Sequence, residues 1–257
     1  MSDLALALRQ VGYENRAFWR NPPAAFFTFA FPLMFLVIFN LAFGNETIEL
    51  RGRTTRASTY IIPAILTFSV ISACYTNIAL SLTFAREQGV LKRVRGTPLP
   101  AWAYLFGRVM HAAVLMLLLV VIVVAAGAIF YGVSVPTNTV AAFVVTLVIG
   151  AASFCALGAA MSAAVPNADA APAIVNFSIL PLLFLSNVFI RIVDPPAWLA
   201  VIRNVFPVYH FYSALQTSFD PFLAGPGFEW GHLAVVLLWG VGGIAVALTQ
   251  FSWTPRR

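Results

Sequence analysis

The chain has 257 residues, of which 61% are hydrophobic and only 9% are charged, and its mean hydropathy is +0.89. Soluble domains usually carry about 25% charged residues, so this composition excludes a water-soluble globular protein. The two cysteines, Cys74 and Cys155, lie in apolar runs and have neither a disulfide nor a metal-ligand spacing. The lipid bilayer is therefore the expected solvent, and each crossing segment must be a helix that satisfies its own backbone hydrogen bonds.

Residues 1–23 predict an amphipathic helix on the membrane surface, followed by a turn. At about 100° per residue, the apolar stripe consists of Leu4, Ala7, Leu8, Val11 and Phe18. The basic residues Arg9, Arg16 and Arg20 lie on the other side, as in helices that rest at the headgroup boundary. Asn21-Pro22-Pro23 ends the helix, because proline disfavours helical geometry in the residue before it. The alternative is a flanking segment that only sets orientation.

Apolar runs long enough to cross roughly 30 Å of hydrocarbon predict an all-α integral membrane protein with one domain, 1–257. The predicted spans are Ala24–Gly44, Tyr60–Phe84, Ala103–Tyr131, Val140–Ala164, Ala170–Ile190 and His232–Phe251. With both termini in the cytoplasm, ten basic and four acidic residues lie inside, and five of each lie outside. The whole formal charge of +6 then falls on the inner face, as the positive-inside rule requires.

A charged segment, residues 86–100, separates the second and third spans and contains Lys92, the single lysine of the chain. Val90, Leu91 and Val94 follow helical spacing and predict a short helix with one apolar edge. Gly96-Thr97-Pro98 ends it. Such a helix would dock into a groove on a soluble partner; alternatively its charges only fix topology.

The second span carries a polar stripe that predicts a path for an amphipathic substrate. Ser69, Ser72, Thr76 and Thr83 fall within an arc of about 60° on an ideal α-helix. Tyr75 and Asn77 flank the arc. The alternative is hydrogen bonding between helices of the same protein.

Residues 191–215 predict a short outer helix that begins at Asp194-Pro195-Pro196, with Asp194 as its N-cap. Its apolar face consists of Trp198, Leu199, Ile202 and Val205. It must end before Pro207, and the aromatic residues that follow suit an interfacial aromatic belt. The segment either dips into the outer leaflet or anchors on its surface.

The chain lacks the phosphate-binding loop of an ATPase, because Lys92 is followed by Arg93 and no glycine-rich turn precedes it. No proton or sodium relay is evident, since His111 and Asp169 fall near span ends. We therefore expect a separate ATPase to supply energy. Two alternatives stay open: an ion-coupled secondary transporter, and a membrane-embedded lipid-modifying enzyme that uses His210 near Asp220.

The charged segment resembles the signature of permease subunits of ABC-type-2 exporters, in particular daunorubicin-resistance-like permeases. The matching residues are Arg86, Glu87, Gly89, Leu91, Arg93, Thr97 and Pro98. Arg20-Asn21-Pro22 before the first span resembles the same family, as do Pro181 through Phe189, Pro196-x-Trp198-Leu199 and Asn204-x-x-Pro207-x-x-His210.

The resemblance implies roles for these segments. The N-terminal helix would be an elbow helix, with Arg16, Trp19, Arg20, Asn21 and Pro22 at its end. Residues 86–100 would be the coupling helix that contacts the ATPase. Ser186, Asn187, Trp198 and Pro207 would belong to a re-entrant outer gate. Ser186-Asn187 stands where the family commonly has Ser-Gly, and asparagine tolerates the left-handed conformation that such a turn needs.

The resemblance also implies the assembly. Two permease subunits, identical or different, would combine with two ATPase subunits in the cell membrane and contact lipid but no nucleic acid. ATP and Mg²⁺ would bind to the ATPase, so that the permease itself is not an enzyme and binds no cofactor. The absence of charges along the spans favours an amphipathic or lipid-like substrate, because an ionic one would expose its charge to a low dielectric; drug-like molecules and glycans are the other candidates.

Overall fold

The computed structural model describes residues 3–43, 46–50, 53–97, 99–133, 135–190, 192 and 195–250. In these ranges the helices are α1 (Asp3–Trp19), α2 (Pro22–Phe43), α3 (Ser58–Ile71), α4 (Asn77–Glu87), α5 (Val90–Arg95), α6 (Ala101–Tyr131), α7 (Val140–Ala164), α8 (Ala171–Leu185), α9 (Ala197–Val205), α10 (Pro207–Ser218) and α11 (Trp230–Gln250). A π-helical turn, Ser72–Thr76, joins α3 to α4. The strands β1 (Thr47–Leu50) and β2 (Arg53–Arg56) pair antiparallel, a small departure from the all-α prediction.

Five of the described helices are long and apolar enough to cross a membrane: α2, the continuous Ser58–Glu87 helix, α6, α7 and α11. The Ser58–Glu87 helix is 83% buried over its most apolar window, whereas the other four are between 17% and 44% buried there. The second predicted span is therefore the central helix, and the others surround it with one face toward lipid.

The predicted fifth span, Ala170–Ile190, was too long. Helix α8 has 15 residues, a rise of about 22 Å, which is less than a bilayer core. It ends because Asn187 has a φ of 62°, the left-handed conformation expected of the Ser186-Asn187 turn. A count of six crossings thus remains a prediction.

Contacts between helix ends sort the structure into two layers. On one side, Arg86 at the end of α4 bonds to the end of α7, and α1 lies against the first turns of α6. On the other side, the Tyr60 hydroxyl donates to the Asn187 carbonyl at 3.1 Å, and the Thr139 hydroxyl donates to the Ser218 carbonyl at 2.6 Å. Helix α8 begins six residues after Val165, which also accepts from Arg86, and ends beside Asn187, so its ends approach both layers although the helix is short.

Glycines allow the outer helices to approach one another closely. A Cβ on Gly240 of α11 would collide with Ser153 of α7, and one on Gly243 would lie 2.9 Å from the Leu157 backbone nitrogen. Small residues at such contacts are the usual means by which membrane helices pack, because lipid provides no hydrophobic drive between them. As a result, α7 and α11 form one closely packed pair.

Candidate functional site

The N-terminal helix forms over Asp3–Trp19, close to the predicted extent, and its placement on the membrane surface stays a prediction. In α1, Ala7 is buried, whereas Leu4 and Leu8 are 61% and 59% exposed. The face against α6 is partly polar: Arg108 Nε lies 3.5 Å from Glu14 Oε1 and donates to the Tyr104 hydroxyl at 2.8 Å. The leucines lie outside this contact and are exposed, where lipid can cover them.

The junction between α1 and α2 holds the other predicted elbow residues. Arg16 and Arg20 are exposed, and the Trp19 ring stacks on Phe29 with centroids 5.8 Å apart. The Asn21 carbonyl accepts from the Ala25 backbone at the start of α2, one residue before Pro22 begins that helix. The elbow geometry thus depends on a sharp turn followed by aromatic stacking.

The charged segment folds as two pieces rather than one helix. Arg86 and Glu87 end α4, Gly89 has a φ of 69°, and α5 is only the six residues Val90–Arg95. Pro98 lies outside the described residues. The left-handed glycine turns the chain, so that Glu87 and the apolar residues of α5 lie on two separate helices.

The apolar edge of α5 faces the protein itself, which corrects the prediction that it docks in a partner's groove. Leu91 is fully buried, and Val90 and Val94 pack against the core. Arg86 is also only 1% exposed. The exposed residues of the segment are Gln88, Lys92, Arg93, Arg95, Gly96 and Thr97. A partner would therefore meet a cationic polar surface.

The polar stripe of the second span is divided by the π-helical turn. Ser69 and Thr83 are fully buried, and their hydroxyls donate to the carbonyls of Ile65 and Ala79 in the same helix. Ser72, Thr76 and Asn77 are half-buried. A π-helical turn contains an extra residue per turn, so residues before and after it no longer share the arc of an ideal α-helix.

Tyr75 in the π-helical turn borders a cavity of about 490 Å³ between α7, α8 and α11. Its walls are almost wholly apolar and include Phe154, Met161, Leu182 and Trp239. The Tyr75 hydroxyl lies 2.6 Å from that of Ser178 on α8. The cavity is within the volume range of small-molecule sites, and its chemistry fits the apolar part of an amphipathic molecule.

The outer segment consists of two helices with a break between them. Helix α9 begins after Pro196; the predicted N-cap Asp194 lies outside the described residues. The Trp239 indole donates to the Val205 carbonyl at 2.7 Å, nine residues after α11 starts at Trp230. Since nine residues of helix rise about 13 Å, the break at Phe206-Pro207 lies well below the outer end of α11.

The two helices of this segment differ in environment. Trp198 and Val201 of α9 are 60% and 64% exposed, whereas Leu199 is buried. In α10, Phe211 and Tyr212 are buried, so they do not form the interfacial aromatic belt that their sequence suggested. Phe211 instead packs edge to face on Phe154 of α7.

The Ser186-Asn187 turn places Phe189 in an aromatic cluster with α2 and α3. Its ring lies 5.5 Å from Phe35, 6.1 Å from Phe39 and 5.6 Å from Phe68, measured between centroids. Ser186 is buried directly before the turn. The turn thus connects the end of α8 to the first two spans.

The residues named for the two alternative functions lie in different parts of the structure. His210 Nδ1 lies 2.7 Å from His232 Nδ1, and His210 Nε2 bonds the Asn204 carbonyl. Asp169 is exposed between α7 and α8, and His111 contacts Phe18 of α1. Across the described part of the chain, no group of three or more His, Cys, Asp or Glu side chains could hold a metal ion.

The sequence did not predict three contacts of this region. They are the bonds of Arg86 to α7, the bond between Tyr75 and Ser178, and the bond of Trp239 to the outer segment. Ser178 and Trp239 can both form hydrogen bonds and lie in apolar runs. That pattern could have identified them as residues that bond to another helix. The partner of Arg86 lies 76 residues away, and no local pattern identifies it.

Comparisons with known proteins agree with this architecture. Residues 11–219 match the family described as "ABC-2 type transporter". The chain is 25% identical over 199 residues to "Putative transport permease ycf38" of Porphyra purpurea, covering 77% of this chain and 68% of that protein. It is 27% identical over 182 residues to the protein of the same name from Cyanophora paradoxa, covering 69% and 61%. The chain belongs to the ABC-2 type transporter family.

Proposed function

We propose that this chain is the permease subunit of an ATP-driven exporter and that a separate ATPase subunit docks on the exposed surface of residues 86–100. The observation that carries the proposal is the cationic surface of α5, where Lys92, Arg93 and Arg95 are exposed. This surface lies between two spans of a chain that belongs to the ABC-2 type transporter family. ATP and Mg²⁺ would bind to the ATPase. Glu87, Gly89, Arg93 and Thr97 are then the direct contacts, with Arg86 and Leu91 as internal supports.

In this proposal the chain lies in the cell membrane, the layer of the structure that holds α1 and α5 faces the cytoplasm, and both termini are cytoplasmic. The concentration of basic residues on that side supports it. Helix α1 would be the elbow helix, with Leu4 and Leu8 in the headgroup region. Helix α8 would complete a sixth crossing, supported by its contacts at both layers and by the capacity of a bilayer to thin around short spans.

The substrate in this proposal is amphipathic or lipid-like and leaves the cytoplasm or the inner leaflet. The apolar cavity beside Tyr75 and the half-buried Ser72, Thr76 and Asn77 support an apolar body with a modest polar group. The α9–α10 break and the Ser186-Asn187 turn would form the outer gate, because Phe206 and Pro207 of the break line the cavity and the turn lies at the layer of Tyr60. A second permease copy would complete the transporter.

A photo-crosslinking amino acid at Arg93 tests the docking surface. In cells that express the chain from its own genomic neighbourhood, we expect a covalent product with a nucleotide-hydrolysing protein. The same group at Thr54, which is exposed on β2 in the opposite layer, should give none. Capture of the ATPase at Thr54 and not at Arg93 would overturn the proposed surface, and capture at neither position would overturn the exporter function.

A further inference from the structure

Arg86 is the largest of the fully buried side chains described here, and both ends of its guanidinium are bonded to another span. Nη1 donates to the Ser162 carbonyl at 2.8 Å, and Nη2 donates to the Val165 carbonyl at 2.6 Å. Arg86 belongs to the last turn of α4, whereas both acceptors lie at the C-terminal end of α7. The residue therefore joins the inner ends of the second and fourth predicted spans.

Helix α7 needs such a partner. The last four carbonyls of any helix lack an intrahelical donor, and Val165 has an extended conformation with Pro166 directly after it. Proline has no N–H to continue the ladder. A guanidinium supplies two charge-assisted donors and places positive charge at the negative end of the helix dipole. The otherwise costly burial of this cation is thereby compensated.

Arg86 is also attached to the start of α5. The Gly89 backbone donates to the Arg86 carbonyl at 3.1 Å, and the chain then turns into α5, whose Leu91 is fully buried. The exposed cationic surface is thus connected to the core at two points, Arg86 and Leu91. Val90, the first residue of α5, follows Arg86 by only four residues, so a displacement of α5 acts directly on Arg86.

We propose that Arg86 is a positioning residue that transmits movement of α5 to α7. The inference rests on the proposed docking of an ATPase on α5. Because α7 and α11 are closely packed through Gly240 and Gly243, a shift of α7 carries α11 with it. These two helices form walls of the cavity beside Tyr75, so a movement at the inner surface changes the volume that an apolar molecule occupies.

The test measures whether α5 and α7 move as one body. Spin labels are attached at Lys92→Cys and Asn167→Cys, both exposed, in the reconstituted complex with its ATPase. Cys74 and Cys155 are buried and should remain unlabelled. In the labelled protein that keeps Arg86, we expect the distance between the two labels to be the same in the presence and absence of Mg-ATP. In Arg86→Met, which keeps the volume but removes the donors, we expect the distance to change by about 1–2 Å or more, the scale of helix shifts in switching proteins.

Two further variants separate transmission from folding. Arg16→Met is the matched control, since Arg16 is exposed on α1 and lies outside the proposed docking surface; it should keep the wild-type distances. Arg86→Lys retains the cation and one donor group, so it should give an intermediate change even if Arg86→Met does not assemble. The inference is overturned if the Arg86→Lys distance equals the wild-type distance in both states, or if the wild-type distance itself changes with ATP. Failure of the wild-type chain to bind any ATPase would instead overturn the proposed function, and the inference with it.

Discussion

The hydroxyl groups of Tyr75 and Ser178 lie 2.6 Å apart and join the π-helical turn of the central helix to α8. Ser178 donates its own proton to the Val175 carbonyl at 2.7 Å, so Tyr75 is the donor in the bond between the two side chains. This bond closes one wall of the cavity between α7, α8 and α11, and it fixes α8 against the most deeply buried helix of the protein.

Tyr75→Phe removes this bond while it keeps the ring. We expect the free energy of unfolding to fall by about 0.6 kcal/mol, the average for hydrogen bonds between membrane helices, as measured by reversible unfolding in mixed micelles. The control is Tyr13→Phe on α1, whose side chain is 56% exposed. A Tyr75→Phe variant as stable as this control would contradict the assignment of Tyr75 as a structural donor.

Gly150 of α7 permits the inward packing of α10. A Cβ at this position would lie 2.7 Å from two ring atoms of Phe211, whose side chain is fully buried and also packed on Phe154. We therefore expect Gly150→Ala to destabilise the protein by about 1–3 kcal/mol, as overpacked cores do, and to lower its unfolding temperature in detergent.

Gly242→Ala on α11 is the matched control, because among the described residues its added Cβ would meet no atom of a neighbouring helix within 4 Å. It should be neutral or stabilising by up to about 1 kcal/mol, the helix-propensity gain of alanine over glycine. Adding Phe211→Leu to Gly150→Ala should recover part of the loss. Equal effects of the two glycine substitutions would mean that Phe211 does not depend on the glycine.

The Glu14–Arg108 pair should hold α1 against α6. Both side chains are largely buried, 15% and 14% exposed, with 3.5 Å between Arg108 Nε and Glu14 Oε1. We expect Glu14→Gln and Arg108→Gln to be non-additive in a double-mutant cycle on unfolding, with a coupling energy between about 0.5 and 3 kcal/mol. Arg16→Gln, exposed on the same helix, should show no coupling to Arg108→Gln. Additive effects of the first pair would show that the contact does not position α1.

The proposed orientation predicts which side of the membrane each loop occupies. A cysteine at Lys92 should react with an impermeant thiol reagent only after the cells are permeabilised, and one at Thr54 should react in intact cells. The background should be low, because Cys74 and Cys155 are both buried. Labelling of the Lys92 position from outside would reverse the orientation and remove the ATPase surface from the cytoplasm.

Sequence patterns predicted the long helices well, because each depends on a local property: enough apolar residues in a row to cross hydrocarbon. The prediction was weaker wherever a single turn departs from α-helical geometry. The π-helical turn at Ser72–Thr76 divided the polar stripe, the left-handed Gly89 divided the charged segment, and the left-handed Asn187 ended α8 before the predicted limit of the fifth span. The first two turns change the direction in which the later side chains project, and the third ends its helix.

The amino-acid sequence by itself determined that this is an integral membrane protein, that it belongs to a transporter family, and that one basic segment interrupts its spans. The tertiary structure alone decided which of those basic residues are available to a partner. Arg86 and Arg93 are seven residues apart and chemically identical, yet one is buried against Ser162 and Val165 while the other is exposed. The difference arises because Arg86 lies beside the end of α7, where helix carbonyls that lack an intrahelical donor accept from its guanidinium. The spacing of residues along the sequence does not predict this contact.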